Sequence, residues 1–473
     1  MTPKVSRAGD RGLLADFGPD IDVAELHARA AALRTREDIV ACVVGHQSLY
    51  VIFTGEPRLT FDDVPPLAVD ARTHIIDVDF SGPDLDELLA HAGVTRETFL
   101  ARIPTLRLVA RYLGFRAGFA YLDGWPADWQ LPRRATSRNL VPRGSFAIAG
   151  EMAGFYPVDS PGGWNLLGRT NAVLWNPNND PPNRFAPGDV IELRATTIDR
   201  FDEALVERVV AAGDVVAEVV APGQLTTIVG ARDWKRVNYG VTPGGPFDSL
   251  AATLANRAVG NDDCAPLLEC VLVAPRLRFH RATRVAFCDG KGNMQTYAIS
   301  PGEELNLGRI HGGLRGYLAI EGGVDEMRAA FAEGPHVLRK NDELRAAREA
   351  QSIGSDTRHP SRTTLRHDIR IVLGPHGAPP LPEEWEVTPE LNRIGIRLRR
   401  ASGENNEAPA LRMLPSCGMQ FGTLQWHPDG SLVAMGPDHP VTGGYLQPAT
   451  VLSDDLWKLA QLAPGERVRL IAV

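Results

Sequence analysis

Short apolar runs cut off by glycine and proline set the strongest limit on what this chain can fold into. "SLYVIF", "HIIDVDF", "SFAIAG", "LTTIVG", "RVAFCDG", "GYLAIEGG", "IRIVLG", "SLVAMG" and "RVRLIAV" are strand-length and lie between turn signals. With 46 Gly and 36 Pro among 473 residues, such runs cannot merge into long helices. A chain of this length exceeds one ordinary core, so several domains are expected. The pattern predicts a β-rich α+β protein of barrel or sandwich units carrying a few helices.

Helical periodicity is confined to a few segments. "DVAELHARAAALRTRED" reads as an amphipathic helix with Asp22 as N-cap, and "DLDELLAHAG" as a short helix stopped by Gly93. "DSLAATLANRAVGN" has an Asp248 cap, and "SDDLWKLAQLAPG" reads as capped by Ser453. "VDEMRAAFAEG" and "KNDELRAAREAQS" are expected to add two more. Breaks are placed near 218–224 and at 352–367, the latter a polar, Ser/Thr-rich linker.

The chain also repeats itself. "SPGGWNLLGRT" is followed by "FAPGDVIELRATT", and "VTGGYLQPAT" by "LAPGERVRLIAV". Each unit runs Gly-Gly-aromatic, crossing element, Pro-Gly-acid turn, closing strand. A third Pro-Gly-acid start, "SPGEELNLG", lies between them. Duplicated β-barrel units are the expectation.

Composition narrows the function classes. At 44% hydrophobic and 23% charged the chain is globular, and its net charge of -8 argues against a broad nucleic-acid surface. The N-terminus has no apolar core of a signal peptide and no run is long enough for a bilayer, so a cytoplasmic protein with no membrane role is expected. Cys42, Cys264, Cys270, Cys288 and Cys417 are odd in number, irregularly spaced and without a C-x-x-C pair. They read as reduced, mostly buried thiols. The twelve histidines show no H-x-x-x-H spacing, so no metal site is expected. There is no P-loop and no G-x-S-x-G elbow. No Ala-Met-Lys-Met occurs, so the chain has no covalent biotin site. A small-molecule substrate or a protein partner remains.

Within "YPVDSPGGWNLLGRT", Gly162 and Gly163 permit a sharp bend or a close ligand approach. Asp159 and Arg169 flank that bend, and Trp164 adds a flat face. An anionic-ligand site and a salt-bridged surface turn fit this stretch equally well. Tyr121 in "GFRAGFAYLDG" offers a phenol to a pocket or to a core. Asp248 caps the helix that carries Asn256, a structural arrangement on its own.

Together these stretches resemble the B and C subunits of bacterial 5-oxoprolinase, often labelled allophanate hydrolase subunits 1 and 2. The same halves are similar to the carboxyltransferase region of urea carboxylase and to the Kip regulators of a sporulation kinase. "GDRGLLADFG", "LGFRAGFAYLDG", "LVPRGSFAIAG", "FYPVDSPGGWNLLGRT" and "APGDVIELR" carry the B-like half. "GQLTTIV", "GVTPGGPFDSLAATLANRAVGN", "LLEC", "RGYLAIEGGVD", "NRIGIRL", "GTLQWHPDGSLV" and "TGGYLQPATVLSDDL" carry the C-like half.

The resemblance implies tandem cyclophilin-like β-barrel domains with smaller α/β lobes. It implies a small lobe at 1–80, a B-like barrel at 81–218, a first C-like lobe at 219–365 and a second at 366–473. It implies chemistry on a cyclic amide or ureido group in a cleft between the halves. ATP would be supplied through an A-type oxoprolinase partner, and a homo-oligomer is allowed. It marks Arg169, Tyr121, Asp159 and Asp438 as catalytic candidates. Gly162, Gly163, Trp164, Asp248, Asn256, Arg393 and Gln425 are its substrate-binding candidates.

The chain departs from the family pattern at four places. It has Ala117-Gly118-Phe119 for Pro-Gly-Phe and Ile103-Pro104 for a His-Thr pair. "VGARD" stands for Gln-Asp-x-Gly-Arg, with the arginine lost or displaced to Arg232, and "EMRAAFAEG" stands for the usual Gly-Ser-Arg-x-Thr. An apolar residue cannot do the work of an acid, base or anion donor. Two other readings therefore stand beside the first. One is a repurposed barrel enzyme performing cyclisation, elimination or acyl chemistry on a more apolar substrate. The other is a non-catalytic Kip-like regulator.

Overall fold

The computed structural model describes residues 2–61, 64–177, 179–201, 213–325, 336–347, 367–376, 381–401 and 414–473. Two strand barrels dominate it. The first is built from β1 (Thr73–Val78), β2 (Leu108–Leu113), β3 (Ala120–Asp123), β4 (Ser145–Ala149), β5 (Met152–Phe155), β6 (Asn165–Arg169) and β7 (Val190–Ala195). Their order is β6-β4-β5-β3-β2-β7-β1, and an Asp79–Arg169 bridge returns the end of β1 to β6. The second is built from β8 (Asp368–Leu373), β9 (Glu384–Leu391), β10 (Gly395–Arg400), β11 (Thr423–Trp426), β12 (Leu432–Met435), β13 (Leu446–Val451) and β14 (Arg467–Ala472). It closes in the order β13-β11-β12-β10-β9-β14-β8. The two orders are the same, and in both barrels the first strand pairs in parallel with the last. The fold is thus a β-rich α+β protein with tandem cyclophilin-like barrels.

Each barrel encloses its own core. Phe80, Phe99, Trp129, Phe146 and Phe155 fill the first, and Trp385, Leu424, Trp426 and Leu470 the second. Closure pairs every strand edge, which removes the exposed edges a Gly-rich sheet would otherwise present.

The repeat seen in the sequence falls on matching places. Gly162 ends a two-stranded ribbon before β6, and Gly443 ends its counterpart before β13. The two Pro-Gly-acid turns precede β7 and β14. In each, the acid reaches back to the alanine before the proline: Asp189 Oδ2 accepts from Ala186 N at 2.9 Å, and Glu466 Oε2 from Ala463 N at 3.0 Å. Gly188 and Gly465 hold positive φ, as the residue after proline in such a turn must. The third copy makes the same turn, with Glu303 Oε2 accepting from Ser300 N at 2.9 Å. It feeds a strand of a separate four-stranded sheet, so only two of the three turns mark barrels.

Smaller lobes flank the barrels. A four-stranded N-terminal sheet carries the helix Val23–Arg34, capped by Asp22 as expected. An antiparallel five-stranded sheet that includes Leu267–Val271 and Arg315–Ile320 carries the helix Ser249–Ala258, capped by Asp248. Among the described residues none of the five cysteines, four buried and Cys264 exposed, forms a disulfide.

Two helix expectations are revised and a third falls largely outside the described residues. Ser453 does not cap the C-terminal helix; a 3-10 turn, Ser453–Asp455, precedes Leu456–Ala460, and Ser453 instead bonds to Asp10. In "KNDELRAAREAQS", Glu343–Arg345 is a strand paired with Val215–Ala221, because a partner edge outweighs weak helix propensity there. "VDEMRAAFAEG" and the 352–367 linker lie almost wholly outside the described residues. One helix had gone unread: Arg96–Arg102, whose Thr95 accepts from Thr98 N.

The halves are joined along a hydrogen-bonded seam. His46 N donates to Ser416 O at 2.7 Å, Cys42 N to Asn238 Oδ1 at 3.1 Å, and Gln420 Nε2 to Ala8 O at 3.2 Å. Gly114, just after β2, lies so close to Thr442 that a Cβ there would collide with the threonine hydroxyl.

Candidate active site

The B-like candidates divide into two groups. Tyr121 on β3 stacks on Tyr112 with ring centroids 4.4 Å apart, and Trp164 meets it edge-on at 5.7 Å. Gly162 and Gly163 sit beside them because larger residues would strike Tyr156 and the Arg133 and Ser137 side chains. Burial pushes the Tyr121 phenol well above its ordinary range, so it stays protonated. Arg169 and Asp159 gather elsewhere, around Arg143. Arg169 Nε donates to Arg143 O at 2.8 Å, Asp159 Oδ1 accepts from Arg143 N at 2.7 Å, and the Arg169 guanidinium lies 4.4 Å from the Phe201 ring. These two clamp the turn into β4.

Of the C-like candidates, Arg393, Asp438 and Asp248 meet in a buried network. Arg393 donates Nε and Nη2 to Asp438 at 2.7 and 2.9 Å, Nη1 to Glu269 Oε1 at 2.8 Å, and Nη2 to Gly245 O at 2.8 Å. Tyr317 donates to Glu269 Oε2 at 2.9 Å and accepts from Asp248 N at 2.7 Å. Asp248 accepts from Gln461 Nε2 at 2.9 Å while capping its helix. Burial opposes the Arg393 charge, yet Asp438 and Glu269 raise its pKa above the ordinary value. Burial likewise opposes the Glu269 carboxylate, but Arg393 and Arg315 hold it below the usual range. The ion pair is therefore fully charged at neutral pH. Asn256 belongs to the packing beneath it, bonding to the carbonyls of Asp263 and Ala265 and to Asn261.

Beside this network stand polar atoms without a protein partner among the described residues. Arg232 donates Nη2 to Pro246 O at 3.0 Å and rests 4.7 Å from the Phe421 ring, while its buried Nη1 has no acceptor. Burial, with the nearby Arg393 charge, lowers its pKa to about 10. His439 holds Nδ1 2.8 Å from Pro440 O. A carbonyl only accepts, so Nδ1 carries the proton and Nε2 presents a lone pair; that Nε2 is buried and unmet. Burial lowers the His439 pKa to about 4, and the Arg232 charge adds to this. On neighbouring strands β11 and β13, Gln425 Nε2 and Gln447 Oε1 are also unmet. Gly443 leaves room there, since a Cβ would come 2.7 Å from Gln425 Nε2. Buried polar groups are nearly always paired, so the unmet Arg232 Nη1 and His439 Nε2, whose groups interact electrostatically, mark a candidate site.

Sequence reasoning missed Glu269, Tyr317 and His439. Glu269 lay inside "LLEC", where one acid in an apolar run reads as the outward face of a strand. No cluster of three or more His, Cys, Asp or Glu suited to a metal occurs among the described residues, and no described helix is long and apolar enough to cross a membrane.

A model of the carboxyltransferase domain, subdomains C and D, matches residues 3–185, and one of subdomains A and B matches residues 239–472. The B subunit of 5-oxoprolinase from Escherichia coli O157:H7 is 30% identical over 199 residues, covering 39% of this chain and 91% of that protein. The C subunit of 5-oxoprolinase from Escherichia coli K12 is 26% identical over 291 residues, 54% of this chain and 90% of that one. The urea amidolyase of Lachancea kluyveri is 28% identical over 312 residues, but this chain spans only 17% of it. The crystal structure of TTHA0988 superposes with a TM-score of 0.81 at 27% identity, over 97% of this chain and 99% of that one.

Proposed function

The chain belongs to the carboxyltransferase-domain family that includes the B and C subunits of 5-oxoprolinase, and on that premise we propose that it is an enzyme acting on a cyclic amide or ureido-type small molecule at the seam between its halves. The observation that carries this reading is the unmet pair beside the ionic network: a donor, Arg232 Nη1, and an acceptor, His439 Nε2. An amide or ureido group is their complement, offering a carbonyl oxygen and an N–H. A ligand without either leaves a buried polar atom unpaired, at a cost of about 1–3 kcal/mol.

In this reading Arg232 polarises the substrate carbonyl as charge builds on its oxygen. His439, with a pKa near 4, orients the N–H by accepting from it rather than storing a proton. Gln425 and Gln447 extend the donor–acceptor pattern into the second barrel. Tyr121 and Trp164 form an aromatic wall, and Arg393–Asp438 fixes the loop that carries His439. The chain holds no P-loop, and in this reading ATP would be brought by an A-type partner.

A second reading has its own support. Where the family has a His-Thr pair, Ile103 is fully buried in the first barrel's core. A repurposed enzyme with a more apolar substrate would tolerate that change.

The test is ATP hydrolysis with and without 5-oxoproline, in the presence of a purified A-type partner verified on a standard B–C pair. Stimulated turnover that falls about 100–1,000-fold in Arg232→Met, at unchanged melting temperature, supports the amide reading. No turnover with a competent partner transfers the assignment to the repurposed enzyme or to a regulator.

A further inference from the structure

We propose that a cavity between the helix Val23–Arg34 and the first barrel is a second small-molecule site, for a neutral or cationic ligand with an apolar body and one hydrogen-bond donor. The cavity has a volume of about 480 Å³, within the range that holds small ligands. Val69, Val109 and Pro187 give it apolar walls. None of its lining residues belongs to the seam site.

His27 supplies the specific feature. It lines the cavity and is only 4% exposed. Its Nε2 lies 2.6 Å from Arg111 O, and because that oxygen can only accept, Nε2 must carry the proton. The other nitrogen, Nδ1, is then a lone-pair acceptor. It is buried and has no partner among the described residues. Gly188, which also lines the cavity, faces this atom: a Cβ there would stand 3.1 Å from Nδ1. The missing side chain leaves room beside this acceptor, so that a donor can approach it from the cavity His27 lines. Burial holds the imidazole neutral, with a pKa of about 4.

The lining charges decide the ligand's sign. The charged side chains bordering the cavity are Asp22 and Asp123, with no lysine or arginine among them. Asp22 caps the helix through Ala24 N at 2.9 Å, which offsets the positive end of the helix. Asp123 Oδ2 binds Arg111 Nη1 at 2.6 Å. An anion would face two carboxylates and a lone pair. A donor on a neutral or cationic ligand would satisfy His27.

The test uses three probes of one shape on the full chain, followed by ligand-observed NMR titration: benzylamine, benzyl alcohol and benzoate. Saturable binding is expected for the amine and the alcohol, with benzoate at least tenfold weaker. Ala24→Phe fills the cavity from the exposed face of the helix, and Ala71→Phe does so from a separate exposed segment. Each should weaken benzylamine binding at least tenfold without moving the melting temperature. Benzoate binding as well as benzylamine, binding unchanged in both variants, or no saturable binding by any probe would overturn the proposal.

Discussion

Replacing Arg393 with methionine should be the most damaging single change in the buried ionic network. The guanidinium makes four hydrogen bonds, two to Asp438, one to Glu269 and one to Gly245 O. At about 1.5–3 kcal/mol for each bond to a charged group, the gross loss is about 6–12 kcal/mol. Leaving the guanidinium's desolvation out of the folded state offsets part of that. Deleting one partner of a buried ion pair has a net cost of about 3–5 kcal/mol, because the remaining charge is stranded.

The pH dependence follows from Glu269. Its carboxyl is held below the usual range in the folded protein, so its contribution is complete above the unfolded value of about 4.3 and is lost as pH falls through the folded value. Without Arg393, burial dominates and raises that carboxyl, partly opposed by Arg315. The penalty should therefore be largest at about pH 7.5 and smaller at about pH 5, where the carboxyl can take up a proton. Denaturant unfolding followed by tryptophan fluorescence reads this directly, since Trp385 and Trp426 are fully buried in the second barrel. Adding Glu269→Gln to Arg393→Met should recover at least about 1 kcal/mol through coupling. A loss below about 1 kcal/mol, or one equal at both pH values, would refute a charged, stranded Glu269.

Other consequences are simpler to measure. Gly114→Ala forces a Cβ onto Thr442 Oγ1 and should destabilise by about 1–3 kcal/mol in thermal unfolding, with Thr442→Ala restoring most of it. Ser453→Ala removes the 3.0 Å bond from its hydroxyl to Asp10, which ties the chain's two ends together; a loss of about 1 kcal/mol is expected, and none if the bond is solvent-replaced. Thiol titration should find one fast cysteine, Cys264, in the native protein and all five after unfolding. Burial raises the Cys42 thiol to about 11 and Cys417 to about 12, so neither should compete.

What the sequence determined by itself is local. A Pro-Gly-acid turn needs a positive-φ glycine and an acid that reaches back to the N–H before the proline. All three copies do this, whatever sheet follows. The strand-length runs likewise became strands, and Asp22 and Asp248 became caps, because such preferences act within one turn of chain. The duplication of the barrels was legible through the repeated Gly-Gly-aromatic units, while their shared strand order came only from the fold.

What only the tertiary structure decided is which charges meet. Arg393 reaches Glu269 across 124 positions and Asp438 across 45, and no local period encodes such a pairing. The same holds for Arg169: in the sequence an anion site and a surface turn fitted it equally well, and only the fold shows its Nε donating to Arg143 O. Ser453 looked like a helix cap until the seam brought Asp10 beside it. Long-range contacts are chosen by how closed barrels pack, and packing selects side chains by position in space rather than by neighbours in sequence.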